Sequence, residues 1–276
     1  FSGTEQRRQF KQGSGRQELS DALFSDSQAL IARVFVNRIW AEHFGQGIVQ
    51  TRSNFGKQGE KPSHPKLLDW LAGEFIRSGW DIKWLHRQIV SSSTYRQAST
   101  FAENAFHRDP ENRLLWRMNR RRLTIEMWRD SMLAVSGNLD SSLGGPPGDL
   151  EGPDDNRRTI YGLIARRELN QMLRIYDFPE PTAHSPKRVS TTTPLQQLFV
   201  LNSPFVEKQA ESLLQLLPVN QSTTEKIQFC YRRLFAREPT ADEVQVGLKF
   251  LAGANAERWT SYLHALLSLN EFLYVD

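Results

Sequence analysis

Apolar residues recur every three to four positions along most of this chain, and residues that start or stop helices stand at the ends of those runs. Leu30, Ile31, Val34, Phe35, Ile39 and Trp40 have the spacing that lays an apolar stripe along one helix. Leu67, Leu68, Leu71 and Phe75 predict a second helix over 65–77, with Gly79 as its stop. Ile82, Leu85, His86 and Ile89 predict a third, ending near Tyr95. Asp109-Pro110 predicts an N-cap and first position for a helix reaching Met118, and Thr124 opens another that Gly137 closes. Thr193-Pro194 and Ser203-Pro204 repeat that start signal, and Thr240 with Glu243 forms a capping box. Three closing helices are expected over about 224–235, 241–252 and 257–270. The expected fold class is mainly α, a compact domain of roughly ten helices with at most a short strand or hairpin.

Two stretches interrupt the pattern. Residues 1–18 are polar and basic around Gly13-Ser14-Gly15 and read as a linker or tail, leaving 19–276 as a single helical domain. The Gly/Pro loop at 143–156 breaks every regular element and marks a candidate sub-boundary. Just after it, Thr159 to Ile164 is the best candidate for an extended strand.

Composition limits the function classes. No apolar run approaches the roughly 18–20 residues that span a bilayer, so no transmembrane segment is expected. A lone cysteine, Cys230, excludes an internal disulfide framework and a cysteine-based metal knuckle, and leans toward export. The first residues carry no apolar leader and no initiator Met, so the chain reads as a fragment of a longer one. Arginines number 26 against 9 lysines, and the excess is uneven. Residues 1–138 hold 21 basic against 14 acidic side chains, while 139–276 hold 14 against 17. No helix-turn-helix, zinc-finger or RNP pattern accompanies that charge, which disfavours nucleic acid as a partner.

The densest basic run is Arg113, Arg117, Arg120, Arg121 and Arg122. If the helix from Asp109 continues, Arg113, Arg117 and Arg121 share a face, and like charges so placed need acids or an anionic ligand opposite. That leaves two readings: an anion site for phosphate, sulfate or a uronic carboxylate, or arginines that clamp loops and carboxylates of the fold itself. Arg157-Arg158 and Arg166-Arg167 form a second basic set. A polar cluster is expected from Arg38, His43, His64 and His86, with His64 in a capping turn and His86 on a half-buried face. The six histidines show no metal-ligand spacing, so no metal site is expected. Asp154-Asp155 is a weak candidate for paired carboxylates. Trp80 and Trp84, four apart, suit either sugar stacking or the core.

Several long segments together carry a resemblance. They are Ala32 to Ile48, Pro62 to Ala72, Trp80 to His86 with Thr94 to Gln97, and Asp109 to Leu123. Phe178 to Pro181, Ser190 to Phe205 and His264 to Phe272 follow in order. The chain resembles, from about residue 16 to 276, the planctomycete-type uncharacterised C-terminal domain of large exported proteins. Members usually lie downstream of a cytochrome c-like domain. The resemblance implies a periplasmic, cell-surface or secreted setting, no cofactor in this chain, and haem c in an upstream region. It implies as partners that haem-bearing domain, another surface protein or an anionic glycan, and it transfers no catalytic residue. Relatives often place an acid where Asn54 and Lys66 stand, and often a Cys near His184. Two functions are therefore carried forward. One is a non-catalytic assembly or binding module of an exported, cytochrome-associated protein. The other is an enzyme domain acting on sulfated polysaccharide, coupled to electron transfer by the upstream haem domain.

Overall fold

The computed structural model describes residues 13–150, 152 and 155–275. The described chain is mainly helical, and it divides after Arg120 into two compact units, each with its own core. Among the described residues no helix is long and apolar enough to cross a membrane. Most of the expected tail, 1–12, lies outside the described residues; helix already begins at Arg16, behind a left-handed Gly15.

The first unit contains α1 (Arg16–Phe24), α2 (Gln28–Phe44), α3 (Pro65–Arg77), α4 (Ile82–Ser91) and the short α5 (Glu103–Arg108). Helix α2 packs against both α3 and α4. Its inward face is Ala32, Val36, Trp40 and Phe44 with Asn37 and Ala41, whereas Leu30, expected inward, is half exposed. Phe44 and Phe75 are fully buried, each worth about 1.5–3 kcal/mol of transfer free energy. The core continues into aromatic pairs: Phe35 stacks on Phe75 at 5.3 Å, and Trp80 meets Phe75 edge-on at 5.2 Å. Trp80 and Trp84 both pack on this core.

The expected helix from Asp109 to Met118 is absent. The Asp109 carboxylate accepts from the amides of Arg113 (3.0 Å) and Leu114 (2.7 Å), which pulls the chain into turns. Asn112 (φ 52°) and Leu115 (φ 56°) then take left-handed conformations that no α-helix contains. The helical face joining Arg113, Arg117 and Arg121 therefore does not exist.

The second unit runs β1 (Arg121–Arg122), α6 (Ile125–Ser136), α7 (Gln171–Ile175), α8 (Pro194–Asn202), α9 (Pro204–Gln215), α10 (Thr223–Phe235), α11 (Ala241–Phe250), α12 (Ala256–Leu267), α13 (Asn270–Leu273) and β2 (Tyr274–Val275). Strands β1 and β2 pair antiparallel, Arg121 opposite Val275 and Arg122 opposite Tyr274. Helix α9 lies centrally, against α6, α8 and α12. Complete capping boxes start α8 (Thr193/Gln196), α10 (Ser222/Glu225) and α11 (Thr240/Glu243), each cap worth about 1 kcal/mol. Ser203, also expected as a cap, makes no side-chain cap bond. Residues 159–164 are not a strand. Thr159–Tyr161 form one 3₁₀ turn, and Gly162 makes an isolated bridge to Gly148.

Candidate functional site

In the first unit the loop after α2 returns through a close approach. Gly47 lies so near Val49 and Asn37 that a Cβ there would sit 2.6 Å from the Val49 carbonyl oxygen. Asn37, fully buried, uses its amide to accept from Val49 N–H (2.8 Å) and donate to Val49 C=O (2.9 Å). That clamp sets Ile48 and Val49 into the core, and Ile48 C=O accepts from Ser63 N–H at 2.9 Å. His64 follows at the N-cap position of α3, with Pro65 at N1 and no side-chain cap bond. Lys66 is therefore the second helical residue.

A second clamp comes from the turns after Asp109. Asn112, 4% exposed, donates to Arg117 C=O and to Asn119 Oδ1, both at 2.8 Å. Asn119 donates in turn to Phe44 C=O at 2.9 Å. Beside the loops that the two clamps fix lies an open recess of about 20 Å3, lined among others by Trp40, Gln46, Gln50, His64, Arg113 and Asn119. Ser63 Oγ lies 3.0 Å from His64 Nδ1. Arg113 is exposed, and its guanidinium makes no hydrogen bond or ion pair with the described residues.

The other expected site residues are placed differently. His43 Nε2 and His86 Nδ1 are 2.8 Å apart, joining the end of α2 to α4, with Tyr95 edge-on to His43 at 5.5 Å. One ring nitrogen must donate and the other accept, so this contact holds only while at least one of the two rings is neutral. Arg38 is exposed on α2. Arg117 lies over the Trp116 ring at 5.0 Å and donates to Ser99 C=O. Arg120 and Arg121 both have partners of their own. Arg122 donates to Thr191 C=O and to Gln196 Oε1. Of the second basic set, Arg157 donates to the carbonyls of Gly144 and Pro146, and Arg158 lies 3.7 Å from Asp130. Asp154 is outside the described residues, and Asp155 serves backbone contacts.

Sequence reasoning passed over the buried polar groups. Arg129, Gln196 and Gln209 are at most 1% exposed. Arg129 donates to the carbonyls of Asp155 and Arg157 and to Thr159 Oγ1, with its guanidinium 5.2 Å from the Phe205 ring centre. Burial pushes its pKa down, while the nearby Asp155 and Asp130 charges oppose that shift. Arg237 is forked between Glu243 (2.7 Å) and Glu271 (2.6 Å). The Arg237 bond holds the Glu243 carboxyl down at about 2. Burial pushes the Cys230 thiol up to about 12, which makes it an inert core residue. Among the described residues no group of three or more His, Cys, Asp or Glu is placed to hold a metal.

No curated protein and no solved structure matches this chain. A family model does match, across residues 15–251. With most of the chain covered, it belongs to PSD1, a family of proteins of unknown function (DUF1553).

Proposed function

We propose that the chain is a non-catalytic binding module that holds an anionic ligand, a glycan acid first among the candidates. The observation that carries this reading is the recess beside Arg113. It sets a cation that has no acidic partner among the described residues next to His64, on backbone fixed by the Asn37 and Asn112 clamps. Of the other candidate arginines, Arg117 and Arg122 bear on structure, since they terminate on carbonyl oxygens of loops, as do Arg129 and Arg157. The setting follows from the resemblance, namely an exported multidomain protein with a haem-bearing domain upstream as its neighbour.

The test is to incubate the chain, alone and joined to its upstream haem-bearing region, with neutral, uronic and sulfated oligosaccharides. Products and equilibrium binding are both read. Binding of anionic members without turnover is the expected result. Cleavage or oxidation of any member would overturn the non-catalytic reading in favour of the enzyme alternative.

A further inference from the structure

The binding reading leaves open what part of a ligand enters the recess, and the following rests on that reading. We infer that the recess takes the terminal oxyanion of a ligand, a carboxylate or a sulfate ester, while the rest of the ligand stays outside.

Charge points first. The lining contains no carboxylate, and Arg113 is its one full-time cation. Asp109, an acid of the same turn, is occupied by the amides of Arg113 and Leu114. A planar guanidinium with a free fork matches the paired oxygens of a carboxylate or sulfate.

Hydrogen-bond bookkeeping points the same way. Ser63 Oγ contacts both Ile48 C=O (3.3 Å) and His64 Nδ1 (3.0 Å) with a single hydroxyl proton. A carbonyl cannot donate, so meeting both contacts directs that proton to Ile48 and assigns the hydrogen between Ser63 and His64 to Nδ1. With Nδ1 carrying the hydrogen, Nε2 of the neutral ring is an acceptor, so the donors for an anion are Arg113 and the neutral amides of the lining. The side-chain amides of Gln46 and Gln50 make no hydrogen bond to the described residues and supply further neutral donors.

Size sets the limit. About 20 Å3 accommodates one or two waters, so the oxygens of an anionic head fit by displacing them and a sugar ring does not. Recognition is thus of a terminal charge and not of ring stereochemistry, and different acidic glycans are expected to bind alike.

The experiment is calorimetric titration of the full chain with a digalacturonate, a monosulfated disaccharide and their neutral counterparts. Both anionic probes should bind, and the neutral ones at least about tenfold more weakly. Arg113→Ala and Arg113→Gln should each lower anion affinity about tenfold or more, Arg113→Lys less, with the melting temperature and circular dichroism unchanged. Arg38→Ala, outside the lining, should change nothing. Equal binding of neutral probes, or undiminished binding by both neutral Arg113 variants, would overturn the inference. If neither short probe binds while longer acidic oligosaccharides do, the oxyanion site falls and the anionic-ligand reading stands; if no acidic glycan binds, both fall. Turnover of a probe would instead remove the non-catalytic reading.

Discussion

Replacing Arg129 by Met tests whether the arginines of the second unit hold it together. Methionine keeps much of the volume beneath Phe205 but removes a cation that is fully buried. Three acceptors lose their donor at once: the carbonyls of Asp155 and Arg157 and the hydroxyl of Thr159. Asp130 is left with Thr159, whose N–H (2.7 Å) and Oγ (2.6 Å) it accepts from, and with the distant Arg158. Removing one partner from a buried, hydrogen-bonded charge network costs about 3–5 kcal/mol, because what remains is desolvated and unpaired. In a unit of this size each kcal/mol moves the melting temperature by roughly 2–4 °C, so a fall of about 10 °C is expected. Thermal melting and urea denaturation read it directly, and limited proteolysis should show cleavage near 155–159 before global unfolding. Arg129→Lys should do no better, since an ammonium cannot bridge three acceptors spread across a fork. If the Met variant melts within about 2 °C of the parent, the network is replaceable packing and the reasoning fails.

In the first unit, Asn37→Ala strands the N–H and C=O of Val49, 2% exposed, and should cost about 3 kcal/mol in denaturant unfolding. Gly47→Ala should also destabilise, since its Cβ would lie 2.6 Å from Val49 O and 2.7 Å from the Asn37 amide. The double variant should lose less than the sum, because one clamp is damaged twice; strict additivity would show that the two act separately. In the second unit, Glu243 has its carboxyl lowered from 4.5 to about 2, chiefly by its bond to Arg237. A lowered folded-state pKa gives stability that is present above 4.5 and lost as pH falls toward 2. Glu243→Gln should therefore flatten the stability profile in that window, by about 1 kcal/mol after solvent screening; an unchanged slope would sink the assignment.

The legible parts of the fold were those written in local chemistry. Thr193 and Thr240 cap helices with side chains three residues from their targets, so the signal and the structure occupy the same short window. Residues 109–118 misled for the same reason inverted. Asp109-Pro110 is a helix start in composition, yet the carboxylate reaches the amides of residues 113 and 114 and makes a turn instead. Nothing in the spacing announced that Leu115 would take φ 56°. The clamps were out of reach altogether, since Asn37 bonds twelve residues away and Asn119 bonds Phe44, 75 residues away. His43 and His86, read as members of one polar cluster, do meet, but the pairing of their ring nitrogens belongs to the packing of α2 on α4. His64 and Arg113 come together at a recess that neither periodicity nor composition describes.

The preference for arginine over lysine has a physical reason in these contacts. A loop carbonyl needs a donor, and irregular loops present carbonyls in diverging pairs. Arg157 meets Gly144 and Pro146 with two nitrogens of one guanidinium, and Arg52 reaches both Ala41 and Gly45. An ammonium, compact and strongly hydrated, has its three donors on one atom, so it spans diverging carbonyls less well and gives up more solvation. A helical fold with long connections such as 137–170 therefore uses guanidinium where a sheet protein would use strand ladders. Arg113 is held differently, by a turn with left-handed Asn112 and Leu115 beside a recess whose lining has no acid. Replacing Asn112 with Gly should keep the turn's backbone but remove the amide that holds residues 117 and 119. Anion affinity should then fall although Arg113 itself is intact, and affinity unchanged in that variant would mean the clamp does not position it.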